Sequence, residues 1–342
     1  MKPLTRGLVT LERFLCGLAT LALLVVGSRK GAADLMLTPA GVSENLTLTT
    51  VASGFTNRGD GLGPIGVGFP TSGGVLVSVE GASTSAVYQF ATDANGQTAA
   101  GATLRSYAGG NSVGGIAAVG SALYMAEASL DRVIQLNNDG TPGATVGTFA
   151  ANPVALATDP SNGHLFVSLF MDGIWNLNPT TGAATEVSTQ NVDGITFDPG
   201  TRILYGATAD GTRVIGINVD TSAKVFDSGV IPNNPDGAAL GFGSLAGNLF
   251  VNTNGGTVVE VNLQTLAQTI IADGGSRGDL VAVDPFDNSL FLTQADRVMR
   301  LSAPAGSGFG QPIPEPSSLT LLSLGAVGIA ALAWRRRRTH GA

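Results

Sequence analysis

Leu156-Ala157-Thr158-Asp159-Pro160-Ser161-Asn162-Gly163-His164-Leu165-Phe166-Val167, followed by Ile174-Trp175-Asn176-Leu177, is the stretch that decides the fold. Two apolar runs flank Asp-Pro-Ser-Asn-Gly. Proline presets φ, and the aspartate can bond its own backbone, so this pentapeptide is a turn. The apolar runs are three to five residues long, as buried strands are. The third run ends in Asn178-Pro179-Thr180-Thr181-Gly182, a second polar turn, and residues 184–188 follow as a fourth strand. About forty residues therefore encode four consecutive strands.

The unit recurs. Its third strand reads apolar, apolar, variable, apolar in six places: Val87-Tyr88-Gln89-Phe90, Val133-Ile134-Gln135-Leu136, Ile174-Trp175-Asn176-Leu177, Val214-Ile215-Gly216-Ile217, Val258-Val259-Glu260-Val261 and Val298-Met299-Arg300-Leu301. Their starts are 46, 41, 40, 44 and 40 residues apart. A strand-turn-strand pair precedes each. Asp-Pro recurs at Asp198-Pro199 and Asp284-Pro285. Four strands per 40 to 45 residues is the arithmetic of a β-propeller blade. Six units predict an all-β, six-bladed β-propeller, or seven blades if residues 34–63 form more than one strand. The last unit lacks a fourth strand. Residues 45–52, with alternating Leu46-Thr47-Leu48-Thr49, are expected to supply it and so close the ring without an open edge.

From about residue 63 to 302 these repeats resemble the NHL and SMP-30 type of six-bladed propeller, and more distantly the YVTN type. SMP-30-like lactonases hold a divalent metal through Glu, Asn and Asp at the propeller mouth. The resemblance thus implies a metal-dependent hydrolase as the alternative to a binding or structural protein. Propellers host many functions, so fold alone does not choose.

Charged residues are only 13% of the 342, and 48 are glycine, a composition that favours short strands and tight turns. The net charge of −7 is uneven. Nine of the 18 basic residues lie in the first 33 positions or in the C-terminal cluster, with only two of the 25 acids. The body keeps nine basic and 23 acidic side chains, a formal −14 that repels nucleic acid and anionic lipid. The one cysteine, Cys16, lies in the leader, so the body has no thiol for a disulfide or thiolate metal site.

Both ends read as address. Lys2, Arg6 and Arg13 precede an apolar run over residues 14–26, short for a span and suited to a signal-peptide core. Gly31-Ala32-Ala33 offers small residues for cleavage, with a site near Gly27 as the alternative. At the C-terminus, Pro314-Glu315-Pro316 precedes an uncharged apolar run (319–334) and then Arg335, Arg336, Arg337 and Arg338. A helix over 317–334 would span about 27 Å, enough for a bilayer core. The arginines would stay cytoplasmic and leave the body outside. This order of elements resembles the PEP-CTERM sorting signal. The resemblance implies processing by an exosortase, transient anchoring in the inner membrane, then delivery to the cell surface or a polysaccharide matrix. The expected organisation is a signal peptide (1–33), a propeller (34–305), a Pro-rich linker (306–318) and a transmembrane sorting tail (319–342).

Chemistry is sparse. His164 sits in a hairpin turn and His340 in the tail, so no Ser/His/Asp or Cys/His set can be assembled in the body. Asp159, Asp198 and Asp284 are read as turn residues from their Asp-Pro context. Asp193, Asp236 and Asp279 lie near blade entries, where acids could face the mouth and bind Ca2+. Glu80 and Glu127 close second strands and carry no better case. Residues 109–115 (Gly-Gly-Asn-Ser-Val-Gly-Gly) lack the Lys and helix of a phosphate loop and read as a connection between the first two blades. No catalytic residue, cofactor site or metal site is assigned on this basis, and Ca2+ at the mouth is the one cofactor worth testing.

Overall fold

The computed structural model describes residues 34–81, 84–107 and 112–310. The expected signal peptide, most of the Pro-rich linker, the Pro-Glu-Pro motif and the sorting tail lie outside the described residues. Among the described residues no helix is long and apolar enough to cross a membrane.

Six sheets, antiparallel except where Gln97–Thr98 adds a parallel edge to Ala52–Ser53, are arranged as blades, and each runs outward from an inner strand. The inner strands are Pro64–Gly68, Val113–Val119, Pro153–Asp159, Val192–Asp198, Pro235–Phe242 and Gly278–Val283. Each packs against the inner strands of both neighbouring blades, and the sixth packs against the first, so the ring is closed. The second and third strands of blade 3, His164–Leu169 and Gly173–Leu177, coincide with the stretch quoted above.

Blade 6 takes its outer strand from the N-terminal chain. Thr47–Ser53 pairs antiparallel with Arg297–Ser302, with Leu48 opposite Leu301, as the alternation of residues 45–52 predicts. The seven-bladed alternative fails for a simple reason. The chain before residue 63 contributes Thr47–Ser53 to blade 6 and only Met36–Leu37 elsewhere, as an added edge on blade 5.

The core is divided among the seams between blades, one cluster of buried apolar residues to each. A recurring second-strand phenylalanine anchors several. Phe166 meets Phe197 of the next inner strand at 4.8 Å between centroids, and Phe291 meets Phe69 at 4.9 Å. At the seam of blades 5 and 6 the corresponding inner-strand residue is Val283, too small to reach. Phe309, fully buried, fills that place and packs edge-on against Phe250 at 4.9 Å. Its segment, Gly308–Phe309, adds to the inner strand of blade 5. The reading of a linker beginning at residue 306 missed this, because a two-residue strand leaves no periodicity.

Candidate functional site: the acidic mouth of the channel

Every inner strand carries a bulge at the same point, two residues from its start. A bulge sets one extra residue against the partner strand and re-aims its side chain. The residues placed this way are Ile65, Gly114, Val154, Asp193, Asp236 and Asp279, in blade order. Three blades thus present an apolar or absent side chain at the mouth, and three consecutive blades present an aspartate.

The next residue in each strand forms the waist of the channel: Gly66, Gly115, Ala155, Gly194, Gly237 and Leu280. Here backbones touch. A Cβ on Gly237 would lie 2.7 Å from Leu280 Cα, and one on Gly194 would lie 2.6 Å from the Asp236 carbonyl oxygen. This explains Gly114-Gly115, read from sequence as part of a connecting loop. They belong to an inner strand that must pass close to its neighbours. Buried polar side chains satisfy the bulged backbone. Ser78 Oγ donates to the Gly114 carbonyl at 2.7 Å, Ser168 Oγ to the Asp193 carbonyl at 2.7 Å, and Asn252 Nδ2 to the Asp279 carbonyl at 2.9 Å.

The three aspartates form one electrostatic unit. Asp236 is 4% exposed; its Oδ2 accepts from Asn254 Nδ2 at 2.7 Å, and its Oδ1 has no partner among the described residues. Burial holds its carboxyl well above the ordinary value, and the charges of Asp279 and Asp193 add to that. Burial, then Asp193, pushes Asp279 up to about 7. Burial also raises Asp193, whose Oδ1 is likewise unpartnered among the described residues. Arg277 opposes these shifts. Its Nη2 stands 3.6 Å from Asp279 Oδ2, while its Nε has no partner among the described residues. Asp193, Asp279 and Arg277 line a cavity of about 200 Å3 with Asn152, Arg58, Glu80 and the half-exposed ring of Phe170, whereas the buried Asp236 is not part of its wall.

The donor set is all oxygen and would suit a hard cation. The geometry does not. Among the described residues, only Asp93, Asp284 and Asp287 bring three carboxylate oxygens within 4.8 Å of one another. The mouth aspartates are spaced more widely, and a guanidinium already stands against one of them.

The other candidates resolve into structure. Asp159 accepts from Ser161 N and Oγ, and Asp198 from Gly200 N and Thr201 Oγ1, as turn residues do. His164 Nδ1 sits 2.7 Å from Asn176 Oδ1 on the neighbouring strand. Glu80 and Glu127 end their second strands at equivalent points and are paired by Arg58 and Arg132. Sequence reasoning placed the three mouth aspartates together but missed Arg277 and Asn254. The available signal was Arg277-Gly278-Asp279, a basic residue two positions before a blade-entry acid.

Fold and mouth together define a closed six-bladed β-propeller with an acidic entrance at one end. At the other end is an apolar funnel of about 310 Å3 with no charged side chain among the described residues of its wall. Residues 312–338, beyond that body, match the PEP-CTERM protein-sorting motif, and the chain carries that signal. Solved structures similar to the propeller include a Thermus thermophilus protein described as a putative oxidoreductase (glucose dehydrogenase). It is 17% identical, with 75% of this chain and 99% of that one covered and a TM-score of 0.57. A gluconolactonase from Xanthomonas campestris is 14% identical, with 80% and 97% covered and a TM-score of 0.57. Virginiamycin B lyase from Staphylococcus aureus is 13% identical, with 79% and 100% covered and a TM-score of 0.50. At these identities the likeness is one of fold: the body resembles the SMP-30, gluconolactonase and NHL type of propeller. No curated protein matches the chain.

Proposed function

We propose that the protein is an exported propeller, delivered by its C-terminal sorting signal to the cell surface or surrounding matrix, that binds a hydroxylated ligand at its acidic mouth. The motif match at residues 312–338 carries the first half of this reading. It implies an exosortase-type enzyme as processing partner, with the apolar run at 319–334 as a temporary anchor in the inner membrane. The composition of the mouth supports the second half. Asp193, Asp279, Glu80 and Asn152 line the cavity together with Arg58 and Arg277, so acceptors and donors stand side by side there. A sugar hydroxyl both donates and accepts, and the exposed Phe170 ring offers an apolar face on which a sugar ring can lie. Extracellular polysaccharide is the ligand class that fits both location and mouth.

Calorimetric titration of the purified protein with matrix oligosaccharides should show binding that Arg277→Ala weakens at least about tenfold, the loss of a charged hydrogen bond. Binding unchanged by that substitution would move the ligand elsewhere on the propeller.

A hydrolase is the second reading. Its support is the carboxyl of Asp279, held at about 7, the range in which a general acid or base works at neutral pH. Lactone turnover abolished by Asp279→Asn would establish it, and turnover lost on chelation would add the metal. The absence of turnover, with or without added divalent ions, would leave the binding role.

A further inference from the structure

A second acidic group lies at the opposite end of blade 6, at the seam where the ring closes. Asp284 and Asp287 belong to the hairpin turn between Gly278–Val283 and Leu290–Gln294. Asp93 belongs to the loop that follows Ser85–Phe90, the third strand of blade 1. One oxygen from each lies within 4.8 Å of the other two.

Asp284 is only 1% exposed, and its Oδ2 has no partner among the described residues. Its Oδ1 accepts from Phe286 N at 2.8 Å. Asp287 Oδ1 is used by Ser289 N and Oγ, at 2.8 and 2.6 Å, while Oδ2 lies on the side of Arg300, 4.0 Å from its Nη1. Among the described residues, Arg300 is the cation paired with this group. It stacks 4.9 Å over the Phe291 ring, donates to Asp93 Oδ2 at 2.7 Å, and stands 4.0 Å from Asp287 Oδ2. Three carboxylates against one guanidinium leave a net negative charge.

The repeats supply an internal comparison. In blade 3 the corresponding turn aspartate, Asp159, is also fully buried, and Arg202 of the next blade donates to its Oδ2 at 2.7 Å. The residue before the second strand of blade 1 is the counterpart of Arg202, and it is Gly74. Asp284 therefore receives no arginine from the next blade. In its place a loop of that blade brings a further carboxylate. An orphaned buried carboxylate is costly, two more beside it add repulsion, and a cation arriving from outside relieves both.

We propose that Asp93, Asp284 and Asp287 form a site for a divalent cation of the Ca2+ class, which ties blade 6 to the blade 1 loop across the closure seam. All three donors are carboxylate oxygens, which select hard cations, and Ca2+ tolerates the irregular geometry that a loop and a turn provide. Two of its ligands sit about 190 residues from the third, so the bound ion joins the two ends of the ring. This site is independent of the mouth.

The test uses the full chain, purified in mild detergent and stripped with chelator. Calorimetric titration with CaCl2 should give a Kd of about 10⁻⁴–10⁻³ M, as in extracellular calcium modules. Calcium at about 10 mM should raise Tm by roughly 3–6 °C. Asp284→Asn keeps the shape and the acceptor for Phe286 N, and Asp93→Asn lies in a surface loop and keeps an amide oxygen as acceptor for Arg300. Both should fold and lose the calcium-dependent shift, while Asp236→Asn at the mouth should keep it. No heat and no shift at that calcium concentration would overturn the proposal. So would a shift that survives Asp284→Asn and Asp93→Asn, or one lost only on Asp236→Asn.

Discussion

Asp279 shows what one residue owes to its surroundings. Its sequence context, Gly278-Asp279-Leu280, marks only a blade entry. Burial beside Asp193 turns it into a carboxyl at about 7. Such a group binds its proton more tightly in the folded protein than in the unfolded chain. Its contribution is therefore harmless below about pH 4, grows more destabilising as pH rises toward 7, and is constant above. Asp236 and Asp193 act with the same sign. Asp279→Asn, which keeps the acceptor for Leu280 N, should make the protein about 2–4 kcal/mol more stable at about pH 8 and leave it little changed at about pH 4. Calorimetric Tm across that range checks this; parallel curves for the two proteins would refute it. Burial of Glu260 produces the same trend in both proteins, so only their difference reports on the mouth. The presence of an acid at positions 193, 236 and 279 was legible in the sequence. Its coupling to the others was not, because these residues meet only when blades 4, 5 and 6 stand side by side.

At the scale of the element, the repeated inner strand explains both mouth and waist. One bulge per strand aims a side chain at the entrance, and the following small residue lets the backbones converge. Strand order and turn chemistry were readable from a period of about forty residues. The bulge was not, since it changes no residue type in a regular way. The short strand Gly308–Phe309 was equally hidden, yet it completes a seam that Val283 leaves short. Phe309→Ala should cost about 3–5 kcal/mol, as loss of a buried phenylalanine does, and lower the denaturant midpoint accordingly. A midpoint within error of the parent would mean that Phe309 is not part of the core. The tail is therefore rooted in the packed body up to Gly310, eight residues later than the last strand that the repeats alone reveal.

For the whole molecule, closure and address are linked by chain order. The strand that closes blade 6 begins only 14 positions after the expected signal peptide, and the sorting motif begins two positions after Gly310. Both ends of the body are thus structural parts of the ring, from Met36–Leu37 on blade 5 to Gly308–Phe309 on the same blade, and cutting between them would remove strands of the fold. Replacing Pro314-Glu315-Pro316 with alanines should abolish C-terminal processing and leave a heavier mature protein in the membrane fraction. Intact-mass measurement of the exported form decides; an unchanged mature C-terminus would separate the motif from processing.

The sequence by itself determined the repeat, the six units of it, the candidate closing strand and the sorting signal. Each is written in local pattern: hydrophobic period, turn residues, and the order of motif, apolar run and arginines. That residues 34–63 add no seventh blade was decided by the structure. Only the tertiary structure decided which acids act together. Asp193, Asp236 and Asp279 are spaced a blade apart, and Asp93 lies about 190 residues from Asp284 and Asp287. Stacking of blades 4, 5 and 6 brings the first set within electrostatic reach and ring closure brings the second, because charges couple through space across a low-dielectric interior and not along the chain.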